Sequence, residues 1–234
     1  MKLNEWIDKR SSCRSYAGIP VDGHMLEQIM SLEMKPLYPE IKVRMDIVGR
    51  DKVKCIFPWM APQLIAVYSE KKPGYLENIG FLFQQMDLHL QSLGLGSCWI
   101  GMGKMDPASA PRIEGMEFVI LLAFGTPKGD PLRSGSRDFK RKNMSQITDR
   151  EDQRLEPARL APSSINSQPW YFLHDGTVIH MYYSRRPVGG DMNLIDAGIA
   201  LAHLYVSNLQ TFRFFRVDDP PAYRGGEYVG SIEL

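Results

Sequence analysis

Two helical stretches, one in the middle of the chain and one towards its end, constrain the fold more than any other feature. Between Asn78 and Leu93, the residues Ile79, Leu82, Phe83, Met86, Leu90 and Leu93 recur at spacings of three and four, so a long helix there turns one apolar face to a core. A second helix is expected over Leu194 to Leu209. Aligning Gly80 with Gly198 pairs Phe81 with Ile199, Phe83 with Leu201 and Met86 with Leu204. A strand precedes each helix: apolar Gln63 to Ser69 before the first and Val178 to Ser184 before the second. The chain thus reads as two strand-then-helix units whose helices should be partners at the core, although any two such units look partly alike.

The remaining elements fit around this frame. Asp22 is placed to cap a helix running to Met34, with Pro36 and Pro39 beyond it, and Ile41, Val43, Met45 and Ile47 alternate as in a half-buried strand. Glu117 to Phe124 is a nearly continuous apolar run suited to a central strand, closed by Gly125 and Pro127. Thr126 to about Arg150 turns to Lys, Arg, Ser, Gly and Asp, and is expected to run over the surface. Leu155 to Leu160 reads as a short helix that Pro157 would kink unless it sits in the first turn. Trp170 should open a strand, and Tyr228 to Leu234 a last one. The boundaries expected are an N-terminal half at 1–130, a basic linker at 131–150 and a C-terminal half at 151–234.

Composition excludes several functions. With 28 Lys and Arg against 27 Asp and Glu, the formal charge of +1 offers no global field for nucleic acid or an anionic membrane. At 234 residues, 44% apolar and 24% charged, the chain can bury a core unaided. No apolar run reaches the roughly 18 to 20 residues of a membrane span, and the start MKLNEWIDKR lacks the apolar centre of a signal peptide. Cys13, Cys55 and Cys98 are odd in number and form no C-x-x-C pair. Neither a disulfide framework nor a metal site is expected, and a cytoplasmic location follows.

Three segments can carry chemistry. Lys9, Arg10, Ser11, Ser12 and Arg14 gather cations and hydroxyls that phosphate oxygens accept from, although a solvated basic turn has the same composition. Ser92-Leu-Gly-Leu-Gly-Ser-Cys-Trp-Ile-Gly101 is a Gly-rich exit from the long helix; its glycines allow close approach of backbone N–H groups to a ring or anion, and Gly94 and Gly96 would equally serve as helix C-caps. It is neither a phosphate-binding P-loop nor a dinucleotide fingerprint. In Ala161-Pro-Ser-Ser-Ile-Asn-Ser-Gln-Pro-Trp170 two prolines fix a non-helical path that presents Ser163, Ser164 and Asn166, either to a polar heteroaromatic edge or, for Asn166, to its own backbone.

Together these segments resemble the FMN-dependent nitroreductase family. Arg10-Ser-Ser-Cys-Arg-Ser-Tyr16 looks like its R-R-S-x-R-x-F/Y motif, Ser92 to Gly101 like its S-L-G-L-G-S-x-W-I-G segment, and Pro162 to Trp170 matches its P-S-S-x-N-S-Q-P-W motif almost letter for letter. Ordinary members carry the P-S-S-x-N loop soon after the first helix, where this chain has Met34-Lys-Pro-Leu-Tyr-Pro39; here it lies in the second half. That order resembles the branch whose chains fuse two nitroreductase-like halves. The resemblance implies an α+β fold of two degenerate repeats forming a pseudo-dimer, with mixed, mainly antiparallel sheets and long core helices. It implies one FMN per chain, NAD(P)H as donor, a nitroaromatic, quinone or similar flat acceptor, and a monomer. Carried over, Arg10, Ser11, Ser12 and Arg14 would hold the phosphate, ribityl chain and pyrimidine side. Trp99, Ile100 and Gly101 would reach flavin N5, while Pro162, Ser163, Ser164 and Asn166 would contact the flavin from the other half, and Arg141, with Arg137, would meet the phosphate. No acid, base or nucleophile is implied. A flavin-binding or flavin-free protein without redox turnover is the rival reading, and a non-redox enzyme on the same scaffold the third.

Overall fold

The computed structural model describes residues 2–55, 61–135, 138–185 and 191–234; Arg137 lies outside them. In chain order the elements are α1 (Gly23–Met30), β1 (Val43–Gly49), β2 (Val53–Lys54), β3 (Gln63–Ser69), α2 (Tyr75–Ser92), β4 (Gly96–Ile100), β5 (Lys104–Met105) and β6 (Glu117–Gly125). There follow α3 (Glu156–Leu160), β7 (Trp170–Asp175), β8 (Val178–Tyr183), α4 (Asp191–Ser207), β9 (Arg213–Phe215) and β10 (Glu227–Glu233).

Two four-stranded sheets have one and the same plan. The first runs β1-β3-β6-β4 with α2 between its second and third strands in sequence; the second runs β7-β8-β10-β9 with α4 in the corresponding place. All ladders in both are antiparallel, and parallel pairing occurs as isolated bridges such as Ser12 with Ser97. The inner faces meet in one apolar core: Ile65, Val67, Leu122 and Phe124 from the first sheet, Trp170, Phe172, Ile179 and Met181 from the second, with α2 and α4 between them.

The two long helices touch backbone to backbone. A Cβ on Gly80 would strike the Ile195 carbonyl and the Ile199 nitrogen, and one on Gly198 would strike the Glu77 carbonyl and the Phe81 nitrogen. The same sequence separation divides Gly80 from Gly198, Glu77 from Ile195 and Phe81 from Ile199, so the crossing is reciprocal. Only residues without a Cβ allow this approach.

Several elements differ from the sequence reading, each for a local reason. The first helix stops at Met30, where Ser31 closes it with its N–H on Glu27 and Gln28, four residues before the expected end; Asp22 does cap it, accepting from Met25 N–H at 2.9 Å. Gly94 takes the left-handed turn at φ 78°, but Gly96 is the first residue of a strand paired with Gly125 rather than a cap. Pro157 lies in the first turn of α3, where no N–H is needed, and causes no kink. The linker is pinned rather than merely draped: Phe139, Ile147 and Thr148 are buried, and Arg133 N–H bonds Lys9 O.

Gly198→Ala is expected to lower the unfolding free energy by about 2 kcal/mol, the clash of about 3 kcal/mol being partly offset by alanine's better helix propensity of about 1. Gly94→Ala, whose Cβ meets nothing within 4 Å, should cost only about 1 to 2 kcal/mol from its left-handed backbone. Urea titration of both variants compares them; equal costs would remove the crossing's special role.

Candidate functional site

The carboxyl end of the Gly-rich segment and the double-proline loop meet across the molecule. A cavity of about 310 Å³ is walled by Ser12, Arg14, Cys98, Trp99, Ile100, Gly101 and Met102 from the first half and by Pro162, Ser163, Ser164, Ile165, Met192, Ile195, Asp196 and Ile199 from the second. Of the sequence-predicted residues, Ser12, Arg14, Trp99, Ile100, Gly101, Pro162, Ser163 and Ser164 stand in that wall. Arg10, Ser11, Arg141 and Asn166 do not.

Arg10 is turned inward. It is 1% exposed, its Nε donates to Asp87 Oδ2 at 2.7 Å, and its Nη2 donates to Ser12 Oγ at 3.1 Å. Asp87 also accepts from Ser97 Oγ at 2.6 Å and Gln84 Nε2 at 3.0 Å, so both oxygens of the buried carboxylate are bonded. Ser11 is clamped by Gln91, which accepts its N–H and donates to its carbonyl, both at 3.0 Å, and its hydroxyl donates to Pro131 O. These two residues fix the segment from which Ser12 and Arg14 reach the cavity. The same network holds another part of that wall: Trp99 Nε1 donates to Gln84 Oε1 at 3.2 Å, and Gln84 Nε2 also meets His203 Nε2 at 3.1 Å. Burial holds His203 down to about 3, hence neutral, with Nδ1–H on Pro157 O.

The loop at 162–168 is held from within and from below. Three non-glycine residues adopt left-handed backbone there, Ile165 at φ 48°, Asn166 at 58° and Gln168 at 46°. Asn tolerates this; a β-branched Ile does so at a cost of about 1 to 3 kcal/mol. Ser163 Oγ accepts Gln168 N–H at 2.8 Å, and both oxygens of buried Asp196 accept Ser164 N–H, at 2.9 and 3.1 Å. Asn166 does not cap its own backbone. Its Oδ1 accepts from Arg141 Nη1 at 2.6 Å and its Nδ2 donates to Lys140 O at 2.7 Å, which ties the loop to the linker.

Arg141 belongs to a cationic cluster. Burial and the neighbouring Arg10, Arg133 and Arg159 pull its pKa down to about 10, its Nε is buried with no partner among the described residues, and Arg133 and Arg141 both lie over the Phe139 ring. Arg133, Asp196 and Met192 were not singled out from the sequence. Asp196 had a signal, since the Gly80–Gly198 alignment sets it opposite Asn78, whose Oδ1 accepts from Leu37 and Tyr38 N–H in the same manner. Burial raises Cys98 to about 11, so this wall residue is a thiol, not a thiolate. Among the described residues no three His, Cys, Asp or Glu side chains converge as a metal site, and no helix is long and apolar enough to cross a membrane.

A family model described as "Putative TM nitroreductase" matches residues 2–208. The whole chain superposes on the crystal structure of a "putative nitroreductase" from Thermotoga maritima, covering 100% of this chain and 94% of that one with a TM-score of 0.68 at 20% identity, which shows a shared fold. A nitroreductase family protein from Clostridium difficile 630 covers 65% of this chain and 99% of its own at 21% identity and a TM-score of 0.48. A "putative nitroreductase in complex with fmn" from Desulfovibrio desulfuricans matches over 65% of this chain and 98% of its own at 17% identity and a TM-score of 0.48. No curated protein matches.

Arg10→Met should leave Asp87 charged and unpaired in the interior, lowering stability by about 3 to 5 kcal/mol in urea titration. A loss below 1 kcal/mol would show that the pair does not organise the site. Thiol labelling should find Cys98 unreactive at pH 8, with a rate that rises towards pH 11 as the thiolate forms; a fast reaction at pH 8 would contradict its burial.

Proposed function

The chain belongs to the "Putative TM nitroreductase" family, and from that premise we propose that it is an FMN-dependent oxidoreductase that takes hydride from NAD(P)H and reduces a flat acceptor such as a nitroaromatic or quinone. The observation that carries this reading is the cavity itself, in which polar groups from segments about 150 residues apart converge on an apolar slot. Its volume lies at the lower end of the roughly 300 to 1,000 Å³ typical of small-molecule sites.

The donor set suits FMN. Trp99, Ile195, Ile199 and Met192 offer apolar walls to a ring, while Ser12, Arg14, Ser163 and Ser164 supply polar atoms for its pyrimidine edge and ribityl chain. Backbone N–H groups at Trp99 to Gly101 would face N5. The surplus of guanidinium groups around Arg141, one nitrogen of it orphaned, suits a phosphate. Bound FMN would supply the hydride and electron chemistry. The chain's own work is positional. Asp196 holds Ser164, Gln84 holds the Trp99 indole, and Arg10 with Asp87 holds the Ser12–Arg14 segment, so the two walls keep their spacing.

We assign the fused pseudo-dimer to the same reading, with halves at 1–130 and 151–234 joined by the linker at 131–150. The common strand order and the reciprocal glycine crossing support it. So does the fate of the position related to the cavity. There, beside Asn78, the counterpart of Asp196, Tyr38 packs on Gly74 and meets Phe214 edge to face at 5.6 Å, and on this reading the two rings take the place of a second flavin. One flavin site in a monomer follows. The free thiols Cys13, Cys55 and Cys98 fit a reducing compartment, the cytoplasm.

Arg14→Ala should weaken FMN binding about ten- to a hundredfold through loss of a charge-assisted hydrogen bond, and Asp196→Ala should weaken it comparably by releasing the loop. Flavin fluorescence titrations, with circular dichroism as the folding control, make the comparison. Unchanged affinity in both variants, or wild-type protein that cannot be loaded with FMN or bleached by NAD(P)H, would overturn the proposal.

A further inference from the structure

His203 on α4 does not line the cavity, yet its hydrogen bonds lead to the cavity wall. The side chain is fully buried, and its Nδ1 lies 2.9 Å from the carbonyl oxygen of Pro157 in the first turn of α3. A carbonyl oxygen only accepts, so Nδ1 carries the hydrogen. Its Nε2 lies 3.1 Å from Nε2 of Gln84, a buried residue of α2.

The other partners of Gln84 settle how its amide is turned. The Asp87 carboxylate, paired with Arg10, accepts from Gln84 Nε2 at 3.0 Å, and the Trp99 indole, which is a donor only, gives its hydrogen to Gln84 Oε1 at 3.2 Å. A flipped amide would set its oxygen against the carboxylate and its N–H against the indole N–H. In the observed orientation the second hydrogen of Gln84 Nε2 goes to His203 Nε2, which is therefore the bare, accepting nitrogen. Both ends of the chain demand the same neutral tautomer. Burial first, with Arg10 and Arg141 adding to it, holds His203 down to about 3, in keeping with that state.

The chain of bonds crosses the molecule, since Gln84 and Trp99 belong to the first half and Pro157 and His203 to the second. It also shares a helix with the anchor of the double-proline loop. Asp196, whose oxygens accept Ser164 N–H, lies seven positions before His203, two turns away on the same face of α4. We propose, resting on the flavin reading of the cavity, that His203 is a positioning residue: through Gln84 it holds the Trp99 indole, and with it the wall at Trp99 to Gly101, in place relative to the loop at 162–168. His203 touches no ligand. It is the acceptor that keeps the Gln84 amide from turning, and α4 thereby fixes both walls, one through Asp196 and the other through His203.

The test uses the full chain with His203→Leu, which fills the space without an acceptor, and His203→Gln, whose amide oxygen can take the place of Nε2. The first arm needs no flavin. Heteronuclear NMR of the wild type should show His203 as the Nδ1–H tautomer, and the Trp99 indole resonance, assigned by its loss in Trp99→Phe, should exchange slowly with water. His203→Leu should speed that exchange about tenfold, the scale of one hydrogen bond, and His203→Gln should restore most of it. In the second arm FMN affinity should fall about tenfold in His203→Leu and recover in His203→Gln. It should fall no further when His203→Leu is added to Trp99→Phe, with circular dichroism as the folding control. An Nε2–H tautomer in the wild type overturns the proposal however the variants fold. So does an indole indifferent to His203→Leu, an FMN affinity that stays unchanged while the indole responds, or a loss of affinity that persists in the Trp99→Phe background, which would place the action in Asp87. Wild-type protein that takes up no FMN overturns the flavin reading instead, and the first arm still decides whether His203 holds Trp99.

Discussion

Contact between the backbones of α2 and α4 at Gly80 and Gly198 is the constraint on which the rest depends. With no Cβ between them the two helices form a single layer between the sheets, and the inner faces of both sheets share one core. That proximity also sets the cavity. Trp99 lies in β4, the strand that follows α2 after one turn, Asp196 and Ile199 flank Gly198 on α4, and the Ser164 loop is bonded to Asp196.

The second constraint is electrostatic. The segment bearing Ser12 and Arg14 is held by the Arg10–Asp87 pair and the Gln91 clamp, both made to the polar side of α2, together with the backbone bond of Cys13 N–H to Ser97 O. A buried ion pair contributes little net stability over an apolar pair, but removal of one partner is costly, so it specifies a position rather than adding strength. Fixing a cation near a pocket by burying its neighbour is a way to preorganise a site without placing a full charge inside it.

Much of this was legible in the sequence because it follows periodicity and turn chemistry. The stripe from Ile79 to Leu93 located α2, Gln63 to Ser69 and Glu117 to Phe124 gave the central strands, and Asp22 marked a helix start. Residues of the double-proline loop and of the carboxyl end of the Gly-rich segment stand in the cavity wall. What escaped was set by tertiary burial. Gln84, Asp87 and Gln91 lie outside the apolar stripe and carry no sequence signal of burial, but α2 is covered all round and they bond to buried partners. Arg10, Ser11 and Asn166 have the chemistry of ligands, yet in this structure they are engaged by Asp87, by Gln91 and Pro131, and by Arg141 and Lys140. Neither Arg133 nor Met192 belongs to a pattern that spacing can detect, since each gains its place from a fold contact distant in sequence.

The claim that both walls of one flavin site come from the two halves of one chain is tested most directly by native mass spectrometry of protein reconstituted with excess FMN. The account predicts a single chain carrying one FMN and no second flavin. A chain with two bound FMN molecules, an FMN that appears only in a dimer, or a chain with none would contradict it.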